Sequence, residues 1–190
     1  MSKKNVRAKA LLCAGCLALS AAASAATSDE TKGVYVEGGH APSSSGHTDS
    51  VTVGLAVPQG SPWTWWGGGV SFYWDFFVSG WRATEPNRID KKNYAQIGGI
   101  ANLRYRFGEG ASPWFAEAGL GGTVMNTLYR IPDHEFSTAF QFTKQLSIGR
   151  SFGQQREHEV SLRVQHFSNG RIKEPNPGEN FVRVRYMYRF

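Results

Sequence analysis

The amino-acid sequence predicts an all-β protein, an eight-stranded antiparallel up-and-down transmembrane β-barrel. Apolar and polar residues alternate with period two along most of the chain, which is typical of strands with two unlike faces. Gly (22 residues) and aromatic residues (13%) are frequent, and both suit strands joined by turns. The 190 residues are 41% hydrophobic and 19% charged, a composition that indicates one folded domain and excludes a disordered chain.

The first element is a predicted signal peptide over residues 1–25. Four cations precede an apolar stretch over 10–23, and an A-x-A cleavage site follows at 23–25. We expect cleavage after Ala25, which leaves residues 26–190 as a single barrel domain. Loss of the four cations lowers the net charge from +6 to +2, and both cysteines, Cys13 and Cys16, are removed. The mature chain therefore has no disulfide, and its charge gives no support to a nucleic-acid partner.

Alternating segments predict the eight strands, and connectors of unequal length separate them. The segments lie near 31–38, 48–58, 65–82, 93–107, 113–124, 138–152, 157–168 and 180–190. Short connectors, such as 58–62, alternate with longer ones near 39–47, 83–92, 125–137 and 169–179. Lys144 interrupts the apolar face of the sixth segment, and the sequence offers no account of it. This pattern of strands and connectors fits an up-and-down barrel.

Alternation alone does not tell which face points inward, so a soluble lipocalin-like carrier is the competing fold. Three features favour the outer membrane. The polar face carries both charge signs, Trp and Tyr cluster at strand ends, and the last strand ends on Phe190. The aromatic residues expected at the two membrane interfaces are Trp63, Trp65, Trp66, Trp81, Trp114, Tyr186 and Tyr188. An even strand number puts both termini on the periplasmic side and the longer loops at the lipopolysaccharide layer.

His166 and Ser168 form a candidate reactive pair at the end of the seventh segment. Residues two apart share a strand face, so both should project outward with Val164, about 6.5–7 Å apart at Cα. A serine hydroxyl becomes a nucleophile when a neighbouring imidazole takes its proton. The alternative is that both residues are ordinary polar groups at the membrane interface. No metal-ligand spacing is present, so we expect no metal. Acyl transfer by a serine requires no organic cofactor, so we expect none.

The segment from His166 to Asn180 resembles the C-terminal signature of the outer-membrane lipid A 3-O-deacylases, the PagL family. The similar features are the His-x-Ser-Asn start, a Lys ahead of a Pro-Asn pair, the Gly178 that follows, and a last strand ending on an aromatic residue. The resemblance implies a serine esterase that hydrolyses the ester-linked 3-hydroxyacyl chain at position 3 of lipid A in the outer leaflet. The implied partner is therefore lipopolysaccharide, and a homodimer is left open.

The resemblance also implies a role for each residue of the segment. Ser168 would be the nucleophile, His166 the general base and Asn176 a donor to the oxyanion, while Asn169 would position this network or cap the strand. The acid departs from the family pattern, because Glu179 and Asn180 both follow Gly178. Strict alternation turns Asn180 outward and Glu179 inward. We nevertheless predict Glu179 as the catalytic acid, because a carboxylate stabilises imidazolium, and keep Asn180 as the alternative.

A second function from another class fits the same architecture. A non-enzymatic eight-stranded outer-membrane barrel could serve adhesion or envelope stability without using the His166–Ser168 pair. Substitution of Ser168 separates the two hypotheses.

Overall fold

The computed structural model describes residues 28–42 and 46–190. The predicted signal peptide, residues 1–25, lies outside these described residues. The strands are β1 Gly33–Pro42, β2 His47–Trp65, β3 Gly68–Thr84, β4 Lys91–Arg106, β5 Trp114–Met125, β6 Arg130–Ile131, β7 His134–Glu135, β8 Phe140–Phe152, β9 His158–Ser168 and β10 Glu179–Arg189. Two single-turn 3₁₀ helices lie at Ser28–Glu30 and Gly108–Gly110. In the described residues, no helix has the length and apolar character needed to cross a membrane.

Eight of these strands form a closed antiparallel barrel, which confirms the predicted fold class. The strand order around the barrel is β1-β10-β9-β8-β5-β4-β3-β2, and β1 pairs with β10 to close it. The short strands β6 and β7 form a separate hairpin inside the connector between β5 and β8. We call the end of the barrel with the long connectors 126–139 and 169–178 the loop end, and the opposite end the turn end.

The hairpin of β2 and β3 is longer than the sequence predicts. A turn was expected at 58–62, but β2 continues to Trp65 and the chain reverses at Trp66 and Gly67. A register shift between Gln59 and Trp63 absorbs the irregular segment, and Gly60 within it has a φ of 69°. Two prolines therefore sit in a bulged strand and do not end it.

The barrel has an apolar exterior and a charged interior. Val51, Leu120 and Leu146 on the outer surface are 62%, 68% and 61% exposed, whereas Arg104 and Glu117 inside are 1% and 4% exposed. A soluble carrier would have the opposite arrangement, with its apolar face around the ligand. The distribution is that of a membrane-spanning barrel, and the alternation predicted for the strands is confirmed.

Ion pairs fill the interior towards the turn end. The guanidinium of Arg104 lies 2.7 Å from Asp29, 2.7 Å from Glu117 and 2.6 Å from Glu159. Burial disfavours the charged form of Asp29, but Arg104 and Arg106 outweigh it and hold the pKa of this carboxyl well below its usual range. The buried charges of this region are Asp29, Glu37, Asp75, Arg104, Arg106, Glu117, Glu159, Arg163, Arg183, Arg185 and Arg189.

An aromatic cluster closes the interior at the loop end. Its buried rings are Trp81, Tyr94, Tyr129, Phe136, Phe167 and Phe181. The prediction of Trp81 as an interface residue was wrong, because alternation along β3 turns it inward and leaves it 1% exposed. Trp81 packs edge-on against Tyr129 at a ring-centre distance of 5.3 Å. The cluster supports the neighbouring ends of β9 and β10, which carry the candidate site.

Candidate active site

His166 and Ser168 lie on the outer face of the barrel at the loop end of β9, as predicted. Each is half-buried, and Val164 on the same face is 52% exposed. In the antiparallel register, Ser168 pairs with Phe142 of β8, and His166 pairs with Lys144. No hydrogen bond joins the serine hydroxyl to the imidazole in the described part of the chain. Such a bond is often long in an enzyme without substrate and tightens when substrate binds. What the structure establishes is that both side chains share the outer face.

Asn180 holds the imidazole of His166. The two residues are register partners on β9 and β10, and Nδ1 of His166 lies 2.8 Å from Oδ1 of Asn180. An amide oxygen can only accept, so this hydrogen bond assigns the proton to Nδ1 of the imidazole. Nε2 then carries the lone pair, and it is the nitrogen that can take a proton from a hydroxyl.

Glu179 does not reach His166, contrary to the prediction of Glu179 as the acid. Its carboxylate points into the barrel, where Oε2 accepts a hydrogen bond of 2.8 Å from the hydroxyl of Tyr129. Oε1 accepts one of 3.0 Å from the backbone N–H of Asn180. The physical reason is strand alternation: when Asn180 points outward, its neighbour must point inward. Burial, and then the charge of Glu179, raise the pKa of Tyr129, so the hydroxyl remains a donor.

Asn169 holds the loop between β9 and β10 in shape. The side-chain amide of Asn169 donates to Ser137 and to the carbonyl of Lys173, at 2.8 and 2.6 Å, and its Oδ1 accepts from the backbone N–H of Arg171 at 2.9 Å. Asn169 is 1% exposed. Both polar atoms of its side-chain amide are thus used in hydrogen bonds that shape the loop.

Asn176 is tied to the same loop through its oxygen. Oδ1 of Asn176 accepts a 2.9 Å hydrogen bond from the backbone N–H of Asn169, the residue directly after Ser168. Within the described residues, its Nδ2 has no hydrogen-bond partner. The amide N–H groups of Asn176 are therefore free to donate hydrogen bonds, and its role as an oxyanion donor stays a prediction.

Gly178 is a site residue to which the sequence gave no role. Its φ is +70°, and a Cβ at this position would lie 2.7 Å from Cε1 and 3.3 Å from Nε2 of His166. Glycine thus allows the backbone to turn and to pass directly beside the reactive edge of the imidazole. In the sequence, Gly178 is part of the family signature and of the Pro-Gly pair at 177–178, which indicates a turn, but neither feature indicates what the glycine touches.

A groove of about 900 Å³ on the outer wall is lined by His166 and Asn180. It runs from β9 and β10 across β8 and β5 to β3 and β4, and most of its lining is apolar. Lys144 is its one outward-facing cation among the lining residues that the structure describes. The lining residues that face outward include Phe72, Ala101, Leu103, Ala118, Leu120, Lys144, Leu146, Val164, His166, Asn180 and Val182. The groove can hold a linear apolar chain next to His166.

The geometry permits acyl transfer by a serine. Ser168 and His166 lie on one outer face near the loop end of β9, His166 keeps a free Nε2 and lines an apolar groove, and Asn176 is hydrogen-bonded to the residue after Ser168. In residues 28–42 and 46–190, no group of three or more His, Cys, Asp or Glu is arranged to hold a metal ion.

Fold and site together define a transmembrane β-barrel with a serine–histidine pair on its lipid-facing wall. The model of the lipid A 3-O-deacylase (PagL) family matches residues 49–189. The chain therefore belongs to the PagL family.

Individual relatives are similar to different extents. The lipid A deacylase PagL of Bordetella bronchiseptica (strain ATCC BAA-588 / NCTC 13252 / RB50) is 37% identical over 95 residues, 50% of this chain and 50% of that protein. The chain thus spans about half the length of this curated relative. A crystal structure of the outer membrane enzyme PagL aligns with a TM-score of 0.65 and 21% identity, covering 82% of this chain and 98% of that one. This structural likeness shows a shared fold.

Proposed function

We propose that this chain is an outer-membrane serine esterase that removes the ester-linked 3-hydroxyacyl chain from position 3 of lipid A. The observation that carries the proposal is the His166 imidazole, fixed through Nδ1 at 2.8 Å from Asn180, with Ser168 two residues further on the same outer face. Family membership supports lipid A as the substrate. No cofactor enters the proposed reaction.

The proposed reaction begins with proton transfer from Ser168 to Nε2 of His166, while Oγ attacks the ester carbonyl carbon. The resulting oxyanion accepts hydrogen bonds from the amide of Asn176. The intermediate collapses, the proton passes from His166 to the departing sugar oxygen, and the acyl group remains on Ser168. Water then attacks the acyl-enzyme, His166 takes its proton and returns it to Ser168, and the 3-hydroxy fatty acid leaves.

Asn180 is proposed as the residue that orients His166, in place of Glu179. A neutral amide fixes the tautomer and the direction of the ring, as Asn does in papain-like cysteine enzymes. It adds no negative charge, however, so the imidazolium that forms must be stabilised by other groups. Asn169 is proposed as a positioning residue, because its hydrogen bonds set the loop that carries Asn176.

The location of the site fits a substrate that stays in the membrane. If the loop end faces outward, as is usual for outer-membrane barrels, the pair meets the outer leaflet, where lipid A resides. We propose multi-pass insertion in the outer membrane after export by the segment 1–25. The acyl chains of lipid A can then lie in the outer-wall groove, and the substrate need not leave the bilayer.

The experiment is mass spectrometry of lipid A from cells producing this chain or the Ser168→Ala variant. We expect loss of one 3-hydroxyacyl chain with the unaltered chain and a decrease of more than about 10³-fold with the variant. The variant should keep the heat-modifiable migration of a folded barrel. Unchanged deacylation by Ser168→Ala would refute the assignment of the nucleophile.

A further inference from the structure

Among the described residues, Lys144 is the charged residue of the outer wall that lies farthest from a strand end. It is exposed and lies four residues inside β8, counted from Phe140 at the loop end. All other outward-facing Asp, Lys, Arg and His residues of the described barrel strands lie within two residues of a strand end. A lysine facing lipid at this depth is unfavourable unless its ammonium reaches the interface or meets an anion.

The position of Lys144 ties it to the candidate site. It is the register partner of His166 on the neighbouring strand, and both line the outer-wall groove. Directly opposite residues in an antiparallel pair have Cβ atoms about 4.5–5.5 Å apart. No carboxylate in the described residues forms an ion pair with Lys144 or His166, since Glu179 points inward to Tyr129. The site therefore presents a cation beside the imidazole and holds no anion of its own.

We propose that Lys144 binds a phosphate of lipid A and so makes the site specific for phosphorylated lipid. This inference rests on the proposed function and deepens it. The four-carbon stem can lie along the apolar wall while the ammonium rises towards the headgroup of a lipid whose ester is at His166. Phosphate is the negatively charged group that lipid A offers at that level, and an ammonium binds it through charge-assisted hydrogen bonds.

A bound phosphate also affects the chemical step. During catalysis His166 becomes imidazolium next to the Lys144 ammonium, and like charges at this distance repel. The neutral Asn180 does not offset this repulsion. A phosphate paired with Lys144 removes it, so phosphorylated substrate should be favoured in kcat as well as in KM.

The test compares bisphosphorylated lipid A with 1-dephosphorylated lipid A in mixed detergent micelles. We expect kcat/KM for the bisphosphorylated lipid to be about tenfold higher or more. Lys144→Ala should remove this preference, because it slows the phosphorylated substrate and, by ending the repulsion of the imidazolium, speeds the dephosphorylated one. Lys144→Arg should keep most of the preference. Arg150→Ala is the matched control, because Arg150 is an exposed cation on the same face of the same strand near the turn end, and it should leave the preference unchanged.

Binding of the same two lipids to Ser168→Ala and to the Ser168→Ala, Lys144→Ala double variant gives a readout without turnover. The proposal predicts a preference for bisphosphorylated lipid A that only the protein with Lys144 shows. An equal decrease in kcat/KM for both lipids in Lys144→Ala would place Lys144 at the ester and overturn the phosphate assignment. Unchanged kcat/KM for both lipids would overturn it too. If the unaltered chain hydrolyses neither lipid, the proposed function fails, while the binding measurement still decides the role of Lys144.

Discussion

Asn180 and His166 face each other across β10 and β9 and share a hydrogen bond of 2.8 Å on the lipid side of the barrel. The side chain that holds this imidazole is therefore a neutral amide, whereas the histidine of a Ser-His-Asp triad is held by a carboxylate. Single substitutions at this end of β9 and β10 measure the consequences for the reaction.

Two substitutions of Asn180 should distinguish its role in orienting the imidazole from the effect of a negative charge at this position. Asn180→Ala removes the acceptor of the Nδ1 proton, and we expect kcat to fall by about 10²-fold because the imidazole loses its fixed tautomer. Asn180→Asp keeps an acceptor oxygen in the same place and should retain far more activity. Initial rates on lipid A in detergent micelles measure both effects. Equal activity of Asn180→Ala and the unaltered chain would show that another residue orients His166.

Glu179 should be replaceable by glutamine with little loss of activity. Glu179→Gln removes the negative charge and keeps one oxygen to accept from the backbone N–H of Asn180, while its amide NH₂ can donate to the Tyr129 hydroxyl, which then donates to Thr48. We expect kcat within about threefold of the unaltered value, since the carboxylate does not face the imidazole. A loss as large as that of Asn180→Ala would restore Glu179 as the acid.

Gly178→Ala should damage the site more than the fold. The new Cβ would lie 2.7 Å from Cε1 of His166, so the ring must move away from its position beside Ser168. Gly60→Ala is the matched control, because Gly60 has a similar φ of +69° but nothing within 4 Å of the added Cβ. Both variants should lose about 1 kcal/mol of stability from backbone strain. Only Gly178→Ala should lose kcat, by about tenfold or more.

The ion pairs of Asp29 should make the barrel sensitive to acid. The pKa of Asp29 is lowered in the folded protein, so its contribution to stability is complete above its unfolded value of 3.8 and is lost as the pH falls below it. Asp29→Asn should therefore lower the unfolding temperature at pH 7, by an amount corresponding to about 3 kcal/mol. The difference from the unaltered chain should shrink at pH 3, which heat-modifiable migration can follow. A pH-independent difference would contradict this account.

Period-two alternation predicted the eight barrel strands and the residues that share each face. The mixed charges of the polar face and the aromatic strand ends then predicted that His166 and Ser168 point outward. The same rule predicts Asn180 outward and Glu179 inward, and the structure places both side chains in this way. The prediction of Glu179 as the acid was based on the charge of a carboxylate, but turning Glu179 outward would need an extra residue in β10. The hydrogen bonds of Tyr129 and the contact of Gly178 join parts of the chain that sequence periodicity does not relate. In the sequence, Lys144 stands out only because it interrupts the apolar face of its strand.

The packed interior also has a consequence for the cell that makes this protein. Arg104 and its partners fill one half of the barrel, and the ring cluster around Trp81 fills the other. A planar bilayer holding the purified barrel should show negligible ion conductance, and bacteria should tolerate many copies without becoming more sensitive to small hydrophilic antibiotics.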